Sequence, residues 1–526
     1  MLSGSLLLIT PRIHSRKGLI RFPTQKRLQP LREASVRNPR RAAGVSRSRL
    51  APRTARAYAS AYPGRPFAHP RSQQKGSSMK RLALLLSLAA APAAAQEVSI
   101  PHTTFTLPNG LRVIVAEDHS TPVAAVNVWY HVGSGYEKAG RTGFAHLFEH
   151  VMFEGSRNVK EGDFDNLLEA AGGQNNGSTN RDRTNYYEIV PSNAVDLALW
   201  LEADRMGGLL DAFDAPKLNG QREVVKNERR ERYENAPYGA LSETASAALY
   251  PAGHPYSWTT IGSMADLDSA SVEDVSQFFR TYYAPNNATL TIAGDVDAAQ
   301  IRPLVERYFG GIPRGTPVER PRLAVPQIAA TRYITREDRV TLPQLNMFWR
   351  TVPRGHADEA ALDVAAALLT DGKSARLYKR LVYDQQVAAL TSAGNGADLL
   401  SGDFSVIVRG KQGTQLDSME MAVDEEIARL AAAPPSAEEL QRVTNQIVTG
   451  FVSGLETVAG KADQLNHYQY YFGDPGYAGR DLARYRAVTP ADVQRVVRQY
   501  LVGKNRIVIS FVPTGKTELA AKENAR

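Results

Sequence analysis

Two stretches of this chain, about 200 residues apart, repeat one another closely enough to constrain the whole fold. Val272-Glu273-Asp274-Val275 leads to Tyr282-Tyr283 and then to Ala288-Thr289-Leu290-Thr291-Ile292. Thr489-Pro490-Ala491-Asp492-Val493 leads in the same way to Tyr500 and then to Arg506-Ile507-Val508-Ile509. In each copy a helical pattern of apolar residues gives way to a strand pattern. Self-similarity at this interval points to two copies of one domain, not to a solenoid of short repeats. A length of 526 residues is also too great for one ordinary core. The expected fold is α+β: two homologous mixed α/β domains in tandem, each a sheet packed with helices.

The first domain is expected over 96–311. It opens on a hairpin, because Asn109-Gly110 lies between apolar runs. A strand follows through Val126, Val128 and Tyr130, then two helices, a polar Gly/Asn segment at 172–180 and a strand at Tyr186 to Val190. Helices are expected at 192–212, at about 216–250 with Pro237 interrupting, at 271–283 and at 297–309. Pro313, Pro317, Pro321 and Pro326 mark 312–330 as a linker. The second domain, 331–514, should hold a strand around 340–349, helices at 357–370 and 374–384 and strands at 387–394 and 403–410. Long helices at 415–432 and 436–471 come next, and 515–526 is a polar tail.

The chemistry concentrates in His146-Leu147-Phe148-Glu149-His150. Histidines four residues apart on a helix share a face, and the carboxylate of Glu149 lies beside them. Two neutral imidazoles can hold Zn²⁺ and leave positions open for water and a third protein ligand. Phe144, Leu147, Phe148, Val151 and Met152 form an apolar stripe, so this is a buried amphipathic helix. A helix with two polar core residues is the alternative. The next acidic helical stretch, Gln221 to Glu231, offers Glu223, Glu228 and Glu231 as third ligands. Spacing puts Glu228 slightly ahead, one turn after Val224 and Val225. The other two are expected to pair with neighbouring arginines on the solvated side.

The order His-x-x-Glu-His, followed by Val224-Val225-Lys226-Asn227-Glu228, resembles the pitrilysin and insulinase family of zinc peptidases. The resemblance extends over about residues 100–515, through Leu107-Pro108-Asn109-Gly110-Leu111, Gly172 to Thr179, Thr184-Asn185-Tyr186-Tyr187 and His254-Pro255-Tyr256. It implies one Zn²⁺ per chain on His146, His150 and Glu228, with Glu149 as catalytic base. It also implies an edge strand at Gln174 to Thr179 on which peptide substrate adds, with Asn176 and Gly177 nearest the cleaved bond. The second domain carries no such motif and is expected to be non-catalytic. Two positions depart from the family pattern. Gln221 stands where many members carry a second glutamate. Val382 and Ala389 stand where single-chain and homodimeric members carry an arginine and a tyrosine that contact substrate. That loss resembles the zinc-bearing subunit of heterodimeric members. A related non-catalytic partner supplying the arginine and tyrosine is therefore expected, with a homodimer as second choice; Arg376, Arg380 or Tyr383 substituting from a nearby position is the alternative.

The formal charge of +9 is unevenly placed. Residues 1–78 carry a net +16, which leaves −9 for residues 96–526. A nucleic-acid binder is therefore not expected. Met79-Lys80-Arg81, the apolar run Leu82 to Ala91 and Ala93-Ala94-Ala95 read as a secretory signal peptide over 79–95. Met79 is then the expected start, residues 1–78 are a mis-called or disordered leader, and the location is periplasmic or secreted. The rival reading takes the Arg- and Ser-rich leader as an organelle transit peptide and makes the enzyme a mitochondrial presequence peptidase. The absence of cysteine removes disulfides and thiolate ligands. No transmembrane segment is expected. The non-enzymatic alternative is a peptidase-like structural subunit, which the intact ligand set argues against.

Overall fold

The computed structural model describes residues 98–522. The expected leader and signal peptide at 1–78 and 79–95 lie outside the described residues. The first sheet is built from β1 (Thr103–Thr106), β2 (Arg112–Glu117), β3 (Val123–Tyr130), β4 (Gln174–Thr179), β5 (Thr184–Pro191) and β6 (Ala288–Gly294). Its helices are α1 (Phe144–Val151), α2 (Asp163–Ala170), α3 (Val195–Ala212), α4 (Ala215–Arg229), α5 (Leu241–Leu249), α6 (Met264–Ser269), α7 (Val272–Tyr282) and α8 (Ala298–Phe309). The second sheet comprises β7 (Arg332–Asp338), β8 (Gln344–Thr351), β9 (Ala388–Ala397), β10 (Gly402–Gly410) and β11 (Arg506–Pro513). With it come α9 (Glu359–Thr370), α10 (Leu416–Ala432), α11 (Ala437–Gly454), α12 (Val458–Phe472), α13 (Ala478–Arg486) and α14 (Pro490–Tyr500).

The strand orders are β1-β2-β6-β3-β5-β4 and β7-β11-β8-β10-β9. In the first, β2 and β6 run parallel while β3, β5 and β4 alternate antiparallel. In the second, β7 and β11 run parallel while β8, β10 and β9 alternate in the same way. The repetition is therefore topological: two α+β units share one strand order, and β1 is an addition to the first. The repeated segments found in the sequence are α7–β6 and α14–β11. Ser271 and Thr489 cap their helices through matching capping boxes with Asp274 and Asp492.

Each sheet is covered on one face by its own helices and on the other by a helix of the opposite half. Val458, Ala462 and Leu465 of α12 pack on Ile114, Ala116, Ala125 and Ala293 of the first sheet. Ala245 and Leu249 of α5 pack near Phe348, Ile507, Ile509 and Phe511 of the second. Burial on both faces explains why β6 and β8 are buried along their whole length. The halves also share a polar joint at the β4–β5 turn. Asp182 accepts hydrogen bonds from the hydroxyls of Tyr256 and Tyr471 and from the amide of Leu399.

The helix expected at 374–384 is π-helical over Tyr378–Asp384, and other local readings also differ from the structure. The helix expected at 436–471 is two: α11 ends at Gly454, and Thr457 starts α12 by accepting the Gly460 amide at 3.0 Å. A side chain at 460 would strike the Gly454 carbonyl, so the turn needs glycine there. The helix expected at 216–250 breaks into α4, a π-helical stretch over Arg230–Asn235 and α5, with Pro237 in the gap. Strand β7 is an edge strand of polar composition, so no apolar alternation announced it.

Candidate metal centre

Helix α1 presents His146, Glu149 and His150, and its start is fixed by two features of the preceding loop. Gly143 adopts φ 86°, and a side chain there would meet the Ile261 carbonyl at 2.5 Å. Glu137, buried in the loop, accepts the amide protons of Gly143 and Ala145 at 3.0 and 2.8 Å. These are among the helix-start donors that no helical carbonyl can satisfy. Burial pushes the Glu137 carboxyl up to about 8, against the two amide bonds.

The imidazole rings of His146 and His150 lie 4.8 Å apart between centroids. Glu228 Oε2 is 3.6 Å from His146 Nε2 and 3.3 Å from His150 Nε2. One donor atom from each of the three lies within 4.8 Å of the others. Both Nε2 atoms are buried without a hydrogen-bond partner. Burial, with His150 nearby, lowers His146 to about 3 and keeps its ring neutral. Glu228 sits in the last turn of α4, where Arg232 Nη1 approaches its other oxygen at 2.9 Å. Two imidazoles with unpartnered Nε2 atoms and the carboxylate beside them form a donor set that fits zinc.

The rival acids are elsewhere. Glu223 is exposed and pairs with Lys226, a lysine where an arginine was expected, and Glu231 is exposed. Val225 is fully buried while Val224 is 46% exposed, so only one of the two valines defines the inward face of α4. Gln221 donates its amide to the carboxylate of Glu154, just after α1, which brings a charge to that position from another segment.

Glu149 is buried against β4. Thr179, the last residue of that strand, donates its hydroxyl to Glu149 Oε2 at 2.5 Å, while Oε1 has no partner. Burial raises the Glu149 carboxyl to about 7, with His150 and the Thr179 bond opposing. Strand β4 forms the edge of its sheet. Gly177 lies so close to Glu149 that a side chain there would come 3.2 Å from its Cγ. Asn176 precedes it, and its side-chain oxygen accepts the Gly177 amide proton at 2.8 Å. Tyr186 is fully buried among Tyr130, Phe153 and Arg205, a packing position.

In the second domain α9 stands where α1 stands in the first and brings no metal-ligand cluster; among the described residues the His146–His150–Glu228 group is the one found. Val382 is half-buried in the segment before edge strand β9, and Ala389, inside that strand, is exposed. Arg376 is paired with Glu439, and Arg380 with Glu425 and Glu426. Tyr383 is 71% exposed. Among the described residues no helix is long and apolar enough to cross a membrane.

Sequence reasoning missed Glu137, Thr179 and Glu154. Glu137 is an acid in a Gly-rich stretch before the motif, which is a usable signal; Thr179 was placed only as the end of the expected edge strand, and Glu154 carries no signal.

A tandem α+β peptidase fold with an inverted His-x-x-Glu-His helix is the class this architecture and site define. Comparison with known proteins gives the family. Residues 112–255 match the model for insulinase (peptidase family M16), and residues 269–447 match that for the peptidase M16 inactive domain. The zinc protease PqqE of Helicobacter pylori is 30% identical over 402 residues, covering 75% of this chain and 90% of that protein. The beta subunit of the mitochondrial-processing peptidase of Blastocladiella emersonii is 23% identical over 432 residues, covering 79% of this chain and 90% of that protein. A protease structure from Helicobacter pylori superposes with a TM-score of 0.74 at 27% identity, over 78% of this chain and all of that one. The chain belongs to peptidase family M16, a family of zinc metallopeptidases.

Proposed function

We propose that this chain is a zinc-dependent endopeptidase that cleaves short or unfolded polypeptides, with one ion on His146, His150 and Glu228. The observation that carries the reading is the convergence of two buried, unpartnered imidazole nitrogens and the Glu228 carboxylate, with Glu149 alongside. When bound, zinc would lower the pKa of water and polarise a peptide carbonyl. Glu149 acts as general base: its free oxygen takes a proton from the attacking water and delivers it to the leaving amine nitrogen. Strand β4, at the edge of its sheet, receives substrate as an added strand through main-chain hydrogen bonds, with Asn176 and Gly177 nearest the cleaved bond. Glycine at 177 keeps that edge open beside Glu149. Recognition of backbone favours chains that lack a fold of their own.

The same reading assigns catalysis to 96–311 and a supporting role to 331–514. A related non-catalytic subunit is the proposed partner, with a homodimer second. Val382 and Ala389 have no side-chain donors, and Arg376 and Arg380 are already engaged. A periplasmic or secreted location rests on the 79–95 pattern; a mature N-terminus at Gln96 supports it, and one far upstream of Met79 contradicts it. The activity is tested by stripping metal with a chelator, restoring zinc and following cleavage of a quenched unfolded peptide, alone and with a related chain encoded nearby. Zinc-dependent cleavage that requires the second chain is expected. No zinc-dependent cleavage in either state would sink the peptidase reading, and full activity of the lone chain would sink only the partner.

A further inference from the structure

The proton-transfer role leaves open which oxygen of Glu149 performs it, and the hydrogen bonds around Thr179 decide the matter. Thr184 donates its single hydroxyl proton to the Val132 carbonyl at 2.9 Å. Toward Thr179, 3.3 Å away, it can therefore act only as an acceptor. Thr179 also has one proton, and Glu149 Oε2 at 2.5 Å is its nearer acceptor. All three side chains are buried, so no bulk water competes for these bonds. The other oxygen, Oε1, is buried with no protein partner. The two oxygens of one carboxylate are thus placed in unlike settings.

We infer that Thr179 is a positioning residue that pins Glu149 through Oε2 and so leaves Oε1 as the oxygen that carries the proton. This rests on the peptidase reading above. Thr179 gives its proton to Glu149 and Thr184 gives its own to Val132, so the base is referenced through Thr179 to strand β4 and not to α1 alone. Because Thr179 ends β4, the same hydroxyl ties the base to the strand proposed to receive the substrate. With Gly177 bounding one side of Glu149 and Thr179 holding one oxygen, rotation of the carboxylate is restricted. An unpinned carboxylate would spend part of its time with neither oxygen correctly placed, and a misplacement of that kind lowers turnover more than binding.

The test uses the full chain, in whichever state the wild type turns over, with Thr179→Val, Thr179→Ala and Thr179→Ser. Valine keeps the shape and loses the donor; serine keeps the donor and loses the methyl. Thermal unfolding identifies any variant that fails to fold, and alanine then stands in for valine. Loss of a hydrogen bond to a charged group corresponds to about a 10- to 100-fold fall in kcat. The expected result is that fall for valine, with KM within about twofold, unchanged zinc content, and serine within about threefold of wild type. Wild-type kcat in the valine variant, or a serine variant as slow as valine, overturns the assignment. A wild type with no zinc-dependent cleavage would sink the peptidase reading instead. In that event crystals of the valine variant decide: a reoriented Glu149 carboxylate supports the pin, and an unmoved one overturns it.

Discussion

Glu149 is buried and Glu228 half-buried near the same two imidazoles, and their surroundings separate them further. Glu228 shares one oxygen with both histidines and has Arg232 on the other, as a ligand would. Glu149 is raised by burial and keeps one oxygen unpartnered, as a base requires. Changing Glu149 to Gln preserves shape and removes the proton acceptor. Zinc content should stay at the wild-type level while kcat falls by about 10²- to 10⁴-fold. Metal analysis beside turnover checks this, and a Gln variant at the wild-type rate would show that the base lies elsewhere. The pairing of His146 with His150 was legible because the helical period alone places i and i+4 on one face. Glu228 was only narrowly legible, since its rivals Glu223 and Glu231 differ from it in rotation about one helix axis. Thr179 was legible only as the end of the expected edge strand, not as a partner of Glu149. Its bond to Glu149 spans 30 residues and exists only because β4 packs beside α1.

At the scale of elements, α1 is short, and its position rests on how its start is held. Glu137 is the device: one buried carboxylate occupies two amide donors that would otherwise be unsatisfied. Changing Glu137 to Ala should cost about 2 kcal/mol, lower the unfolding temperature by several degrees and weaken zinc affinity. Calorimetry with zinc titration checks it, and unchanged zinc affinity would confine Glu137 to stability. The other elements show where sequence patterns fail. Strands β6 and β8 were visible from their apolar residues, Leu290 and Ile292 in one and Leu345, Met347 and Trp349 in the other, but β7 was hidden because an edge strand need not alternate. The α11–α12 break was hidden because its cause is close approach of Gly460 to Gly454, which periodicity does not record.

For the whole molecule, the second domain supports the first instead of merely accompanying it. Helix α12 covers the outer face of the first sheet, and the β4–β5 turn is held at Asp182 by Tyr256, Tyr471 and Leu399. Burial, then the nearby Asp398, raises the Asp182 carboxyl from 3.8 to about 6; Arg181, paired with Asp398, is the adjacent cation. A carboxyl raised in the folded state contributes stability while protonated. That contribution is complete below pH 3.8 and is lost as pH rises through about 6. Thermal unfolding between about pH 4 and about pH 7 should therefore show a falling component that Asp182→Asn removes. Identical slopes for the two proteins would exclude Asp182 as its source. The duplication of domains was legible from two matched segments, whereas the exchange of covering helices was not, because nothing in one half names the other as its partner.

The proposed chemistry depends on one coordination sphere, and anomalous diffraction at the zinc edge from crystals of the full chain tests it most directly. The account predicts one peak per chain, bonded to nitrogens of His146 and His150 at about 2.0–2.1 Å and to a Glu228 oxygen at about 2.0–2.2 Å, with Glu149 outside the ligand set. A zinc-soaked crystal with no peak there, or with Glu228 replaced as ligand by Glu149 or Glu223, would contradict it.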